Sequence, residues 1–225
     1  MSGGGALAKP RGRSMVAPVK PLLAASLLLS ASACAPELAG PEQAVPSTAA
    51  WRTVATEADR GNIRNWRKAW VEALEKARAG GHGEAIVAEG VLLQPDAALV
   101  GVAPPAGDYR CRVVKIGAKG AGNLDYVAYP AFSCRIGAGE GDRDFAKLTG
   151  SQRPIGRLFP ENDSRMIFLG TLQLGDEQGT LRYGHDPERA MAGILERVGE
   201  RRWRLVFPYP QFESIMDVLE LVPQD

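Results

Sequence analysis

His82 and His185 are the only imidazoles in the chain, and His185 is followed directly by Asp186 in RYGHDPE. A carboxylate that orients an imidazole makes it a general base, and Ser151 or Ser164 would be the hydroxyl it activates. That constellation defines one reading, a periplasmic hydrolase using His185 with Asp186. Neighbouring side chains on a strand point to opposite faces, so adjacency in sequence is not triad geometry. A turn after a TLRY strand accounts for the same residues. His82, in the loop GGHGE, reads as exposed. Two histidines and three cysteines offer no spacing that assembles three or four zinc ligands, so neither a metal nor a cofactor is expected.

GSQRPIGRLFP is richer in donors. Arg153 and Arg157 are four apart and share one face of a strand, where two guanidinium forks can hold a carboxylate or phosphate, with Gln152 beside them. The same arginines can instead pair with Glu213, Asp217 or Glu220 on other strands. Pro154 and Gly156 mark an edge, a bulge or a close backbone approach. In WRLVFPYPQFES, Trp203, Phe207, Tyr209 and Phe212 surround two prolines, a composition that suits either a pocket mouth or corner packing. Gln152, Arg153, Arg157, Trp203 and Tyr209 are therefore the candidate ligand-binding residues, and no catalytic set is assigned.

The three cysteines separate by context. Residues 1–33 carry Lys9, Arg11, Arg13 and Lys20, no acid, and an apolar run from Leu22 to Ala33, the layout of a secretory leader. The run is shorter than the ~20 apolar residues of a membrane-spanning helix. Met15 offers a second possible start. ASA before Cys34 fits ordinary leader cleavage and also a lipobox, although a lipobox more often has Leu where Ala31 stands. Cys111 and Cys134 remain as a pair, which an oxidising compartment would join. Cys34 is then the odd cysteine, and a lipid on it removes an exposed free thiol.

Cleavage after Ala33 removes four positive charges and takes the formal +1 of the chain to −3. A mildly acidic body does not suggest nucleic acid as a partner. Residues 34–50, rich in Pro and Ala without hydrophobic period, read as a lipid anchor and tether. Ala35, not an acid, follows Cys34, which suggests a periplasmic address at the outer membrane. The expected partners are the membrane through Cys34 and a small ligand or an envelope protein.

The elements that position these residues divide at about residue 107. Thr56 and Asp59 stand at capping-box spacing. Ile63, Trp66, Trp70, Ala73, Leu74 and Ala77 then recur at three and four to Gly80-Gly81, with Gly61 shifting the real start towards Asn62. Arg60, Arg64, Arg67 and Lys68 form the opposite face, to meet lipid headgroups or, as the interspersed Glu57, Glu72 and Glu75 favour, water. GEAIVAEGVLLQPDAAL is short helix or irregular. From Asp108 the period becomes two. Tyr109, Cys111 and Val113 share one face, and Leu124, Tyr126, Ala128, Phe132, Cys134 and Ile136 share one parity. FAKLTG, QRPIGRLFP, RMIFLGTLQLG, GTLRYG, a hairpin over MAGILERVGERRWRLVFP and SIMDVLELV continue the series. Seven to nine sequential strands imply an antiparallel meander that closes into a barrel or splits into a sandwich.

The run GDYRCRVVKIG, YVAYPAFSCRI, LTGSQRPIGRLFP, RMIFLGTLQLG and RRWRLVFPYPQFESIMDVLELVP resembles an uncharacterised bacterial envelope family known only as a domain of unknown function. The resemblance covers roughly residues 51–223. It implies an exported one-domain protein and brings no catalytic residues. The fold expected is α+β, mainly β: N-terminal helices over 51–107, packed on a small barrel-like antiparallel meander over 108–223, lipocalin-like or a sandwich. The function expected is that of an envelope lipoprotein with a non-enzymatic ligand-binding, protein-binding or structural role.

Overall fold

A computed structural model of the chain describes residues 50–139, 143–175, 177, 179 and 181–225. The expected leader, Cys34 and the tether up to residue 49 lie outside the described residues.

Four helices precede the strands: α1 Ala50–Val54, α2 Glu57–Arg64, α3 Trp66–Ala79 and α4 Gly83–Ala88, with a 3-10 turn at Gly90–Leu93. Thr56 caps α2 as its spacing predicts, its Oγ1 accepting from the Asp59 N–H at 3.1 Å. The reciprocal half of the box is rerouted: Thr56 N–H donates to the Tyr183 hydroxyl at 3.0 Å, and the Asp59 carboxylate accepts from the hydroxyls of both Thr56 and Tyr183. Capping thus ties the helix to the loop before β6. Gly61 does not delay the start, because the cap precedes it. The expected single helix is instead broken at Asn65, which leaves helical geometry at φ −94° and ψ 10°.

Eight strands follow: β1 Gly107–Ala118, β2 Tyr126–Ile136, β3 Arg143–Lys147, β4 Gln152–Asn162, β5 Arg165–Leu174, β6 Ala190–Gly199, β7 Arg202–Pro208 and β8 Ser214–Pro223. Each pairs antiparallel with the next, and β1 pairs with β8 from Tyr109↔Pro223 to Ala118↔Ser214, which closes the barrel. Closure, not a sandwich, removes the sheet edges. The expected hairpin over residues 190–208 is β6–β7. GTLRYG is not a strand where it is described: Leu181 and Arg182 are irregular and Tyr183–His185 form a turn.

All eight strands contribute to one interior cluster, including Tyr109, Cys111, Cys134, Phe145, Leu158, Phe168, Leu205 and Leu219. Its middle is filled by an edge-to-face series, Phe145 to Phe168 at 5.7 Å and Phe168 to Phe207 at 5.5 Å between ring centroids. Glycines make room for these rings. A Cβ on Gly170 would lie 2.4 Å from the Phe168 ring, and one on Gly193 would lie 2.9 Å from Phe207. Gly156 pairs with Gly170 in the ladder, so it is the close backbone approach among the three roles open to it.

The register explains the cysteines and corrects the parity of β2. Cys111 faces Phe132 and Cys134 faces Tyr109, so the two lie on a diagonal with Cα atoms 5.9 Å apart, joined as a disulfide. Between the pairs Arg112↔Ala131 and Val114↔Ala128, β2 carries one extra residue, beside Pro130. That bulge reverses the alternation. Phe132, Cys134 and Ile136 therefore face inward, whereas Tyr126, five residues beyond Ala131, packs with the outer cluster against the helices.

The barrel's outer surface is buried on two sides. Trp70, Ala73, Leu74 and Ala77 of α3, with Ile86 of α4, cover Val114, Ile116, Val206 and Val218. Trp51 and Ile63 cover Phe159, Ile167, Leu169 and Ile194 of β4, β5 and β6. Between barrel and helices sits a buried charge pair. Arg204 donates to Glu196 at 2.6 Å and to the carbonyls of Val91, Leu92, Gln94 and Pro95, with its guanidinium 4.4 Å from the Trp70 ring centroid. This hub pins the segment after α4 to the barrel wall.

One barrel end is stoppered by the chain leading into β1. Val102 is buried in the interior cluster, its carbonyl accepting from the Trp203 indole at 2.7 Å, and the Tyr109 hydroxyl donates to Pro105 O at 2.6 Å.

Candidate functional site

The opposite end is open. Among the described residues it is ringed by the loops 119–125, 148–151 and 209–213 and by 181–189, and contains a cavity of about 160 Å³. Its floor is apolar, from Val113, Phe132, Leu172, Phe207 and Leu219, with Phe207 ending the phenylalanine series. Its walls carry Lys115, Lys147, Gln152, Glu213 and Asp217. The opening follows from the length of β3. Its ladder with β4 ends at Ala146↔Ile155, so residues 152–154 have a neighbour only in β5. Pro154 stands past that last rung, where a residue without an N–H is tolerated.

Lys115 is almost fully buried, its Nζ 2.6 Å from Glu213 Oε2, 2.9 Å from Gln152 Oε1 and 3.5 Å from Asp217 Oδ2. Burial pulls its pKa down, but the two carboxylates outweigh that and the net direction is upward, so Lys115 stays charged. Burial drives the Asp217 carboxyl up against the lowering pull of Lys115 and a hydrogen bond from Ser214.

Lys147 is different. It is 3 % exposed, and its Nζ donates to Thr149 O at 2.7 Å and Gln152 O at 3.0 Å while lying 3.7 Å from the centroid of the Phe132 ring. No carboxylate among the described residues pairs with it. Burial first, then repulsion from Arg153 and Lys115, lowers its pKa to about 8. Gly150, at φ 90°, is required for this cradle, since a Cβ there would lie 2.7 Å from Lys147 Nζ and 2.8 Å from the Phe132 ring.

Of the residues singled out from sequence, Gln152 lines the mouth. Arg153 and Arg157 do share a face, but it is the outer one, because Pro154 and Leu158 take the inward parity. Arg153 donates to Gln173 and to the carbonyls of Gly150 and Gly175, and Arg157 lies 5.4 Å from the Phe159 ring centroid. Neither partner is the expected Glu213, Asp217 or Glu220, which instead serve Lys115, Arg112 and Arg202. Trp203 is buried at the stoppered end. Tyr209 turns away from the cavity to donate to Glu72 on α3 at 3.1 Å.

His185 is exposed in the 181–189 segment at the open end, whereas Ser164 sits in the β4–β5 turn at the other end. The structure does not bring these two together; Ser151 lines the open-end cavity with no hydrogen bond to His185 among the described residues, and Asp186 accepts from the Glu188 N–H. His82 is half-buried, stacked 5.7 Å from Tyr126, not simply exposed. On the basic helical face, Arg60 and Arg64 pair with Glu57, and Arg67 pairs with Asp96. Among the described residues no cluster of three His, Cys, Asp or Glu could hold a metal, and no helix is long and apolar enough to cross a membrane.

Lys115 and Lys147 were missed from sequence, as was Tyr129, which also lines the cavity. A signal existed for two of them: Lys115 shares the inward parity of Tyr109, Cys111 and Val113, and Lys147 that of Phe145. A charge on an apolar parity is a buried charge, and buried charges need partners.

Fold and site define a closed eight-stranded antiparallel barrel, flanked by helices, stoppered at one end and open at the other onto a cavity with two buried lysines. The chain belongs to the family described as domain of unknown function DUF4893, whose family model matches residues 51–221. No curated protein and no solved structure matches it.

Proposed function

We propose that this protein is a non-enzymatic binding barrel of the bacterial envelope, held by a lipid on Cys34, whose open end takes a small ligand with an anionic group and an apolar body. Lys147 carries the ligand half of this reading. Its ammonium is buried among neutral acceptors, two carbonyls and a ring face, and such a charge is stabilised by a counter-ion brought from outside. The apolar floor supplies the complementary half of the recognition.

The address half rests on the leader pattern, the lipobox-like ASAC and a cysteine count that leaves Cys34 without a partner once Cys111 and Cys134 are bridged. A disulfide of this kind is at home in an oxidising compartment. Native mass spectrometry of protein purified from its host membrane tests both halves. Lipid mass on Cys34 and a retained anion are expected, with the anion lost in Lys147→Met. Cys34→Ser should move the protein from the membrane fraction to the soluble periplasm. A Cys34→Ser chain that stays membrane-bound refutes the anchor. Ligand retention unchanged by Lys147→Met refutes the site.

A further inference from the structure

Residues 209–213, YPQFE, join β7 to β8 at the open end. Both ends of this loop hold non-glycine residues in the left-handed region, Tyr209 at φ 50° and Glu213 at φ 66°, the only such pair among the described residues. A side chain in that region crowds its own backbone, and glycine avoids the strain. Glycine occupies nine other described positions of positive φ. Side chains kept at 209 and 213 therefore need a reason. Tyr209 has one in its contact with Glu72 on α3.

Glu213 spends its side chain on Lys115, at 2.6 Å, yet stays 46 % exposed. Its backbone is fixed, since its carbonyl accepts from Lys119 N–H at 2.8 Å and from Asn123 Nδ2 at 3.1 Å. Only the carboxylate arm can swing. Asp217, the other carboxylate on Lys115, is buried within β8 and held by Ser214. Lys115 thus has one fixed anionic partner and one that reaches it from the solvent side, where a ligand enters.

We propose that the Glu213 carboxylate is an internal stand-in for the ligand's own. A monocarboxylate with an apolar tail takes the place of Glu213 on Lys115 Nζ, its tail against Val113, Phe207 and Leu219, and Glu213 swings into water. The exchange keeps Lys115 neutralised throughout, whereas a neutral ligand would either leave Glu213 in place or strip Lys115 of a partner. The ligand class this selects is a small amphipathic carboxylate, and Glu213 is its built-in competitor. The inference rests on the open end being an anion site.

Titration calorimetry of octanoate into the purified full chain tests it, with 1-octanol as the neutral probe and thermal melts as the folding control. Glu213→Gln, near-isosteric, is expected to bind octanoate about tenfold more tightly, and Glu213→Asp, too short to reach Lys115, to tighten it in the same direction. Lys115→Met is expected to abolish octanoate binding, and 1-octanol should not discriminate wild type from Glu213→Gln. Unchanged or weaker octanoate binding by both Glu213 variants, with wild type binding normally, overturns the stand-in role and leaves the anion site standing. No octanoate binding by folded wild type or either variant overturns the anion site and the stand-in role together.

Discussion

Lys147 is held in place by groups that cannot neutralise it. With its pKa lowered from 10.5 to about 8, the folded protein sheds this proton in a pH range where the unfolded chain still binds it. Stability therefore rises with pH between about 8 and 10.5 and carries a penalty of about 3 kcal/mol below that window. Lys147→Met should accordingly be more stable than wild type at pH 7, with the difference shrinking towards pH 10 in thermal melts. Under the proposed binding role, this penalty is what an incoming anion would offset. Octanoate affinity of the wild type should fall as pH rises above 8, by at most tenfold per pH unit, as Lys147 loses its charge. The same residue shows where sequence reading stopped. Arg153 and Arg157 drew attention as paired forks, yet Ile155 and Phe159 on their face are as apolar as Pro154 and Leu158 on the other. A strand with apolar residues on both faces does not announce which parity is inward.

At the scale of elements, the β1–β2 hairpin and the wall under the 3-10 turn carry most of what can be tested. The disulfide was legible because Cys111 and Cys134 sit among apolar residues of matching parity near the hairpin's outer end. The reversal at Pro130 was not, since one inserted residue changes every later position without changing composition. The bridge spans a separation of 23 residues, so losing it should cost about 3 kcal/mol on the loop-entropy model. Cys111→Ser melts should show that loss, and thiol titration of denatured, unreduced protein should find neither Cys111 nor Cys134 reactive. Two additional reactive thiols would contradict the bridge. Arg204 makes a separate case. Its guanidinium and Glu196 are both fully buried, and no sequence pattern marked Arg204 because most of its acceptors are backbone carbonyls. Arg204→Met leaves Glu196 buried and those carbonyls unpaired, and should destabilise the fold by roughly 3–5 kcal/mol in denaturant unfolding.

For the whole molecule, the barrel's asymmetry is the central fact. Helices cover two sides, Val102 and Trp203 close one end, and three phenylalanines fill the middle. What is left is a shallow open end where charge and apolar surface meet. Mainly β architecture, N-terminal helices and strand number were readable from periodicity; barrel closure was not, because it depends on β1 meeting β8 across the full length of the domain. The most direct test of the ligand-binding account is amide NMR of the full chain during octanoate titration. Saturable shifts are expected at Lys115, Lys147, Gln152, Phe212 and Glu213, with Val102 and Trp203 at the stoppered end unmoved. No shifts at all, or shifts confined to the outer groove of Arg135, Arg157 and Arg182, would contradict it.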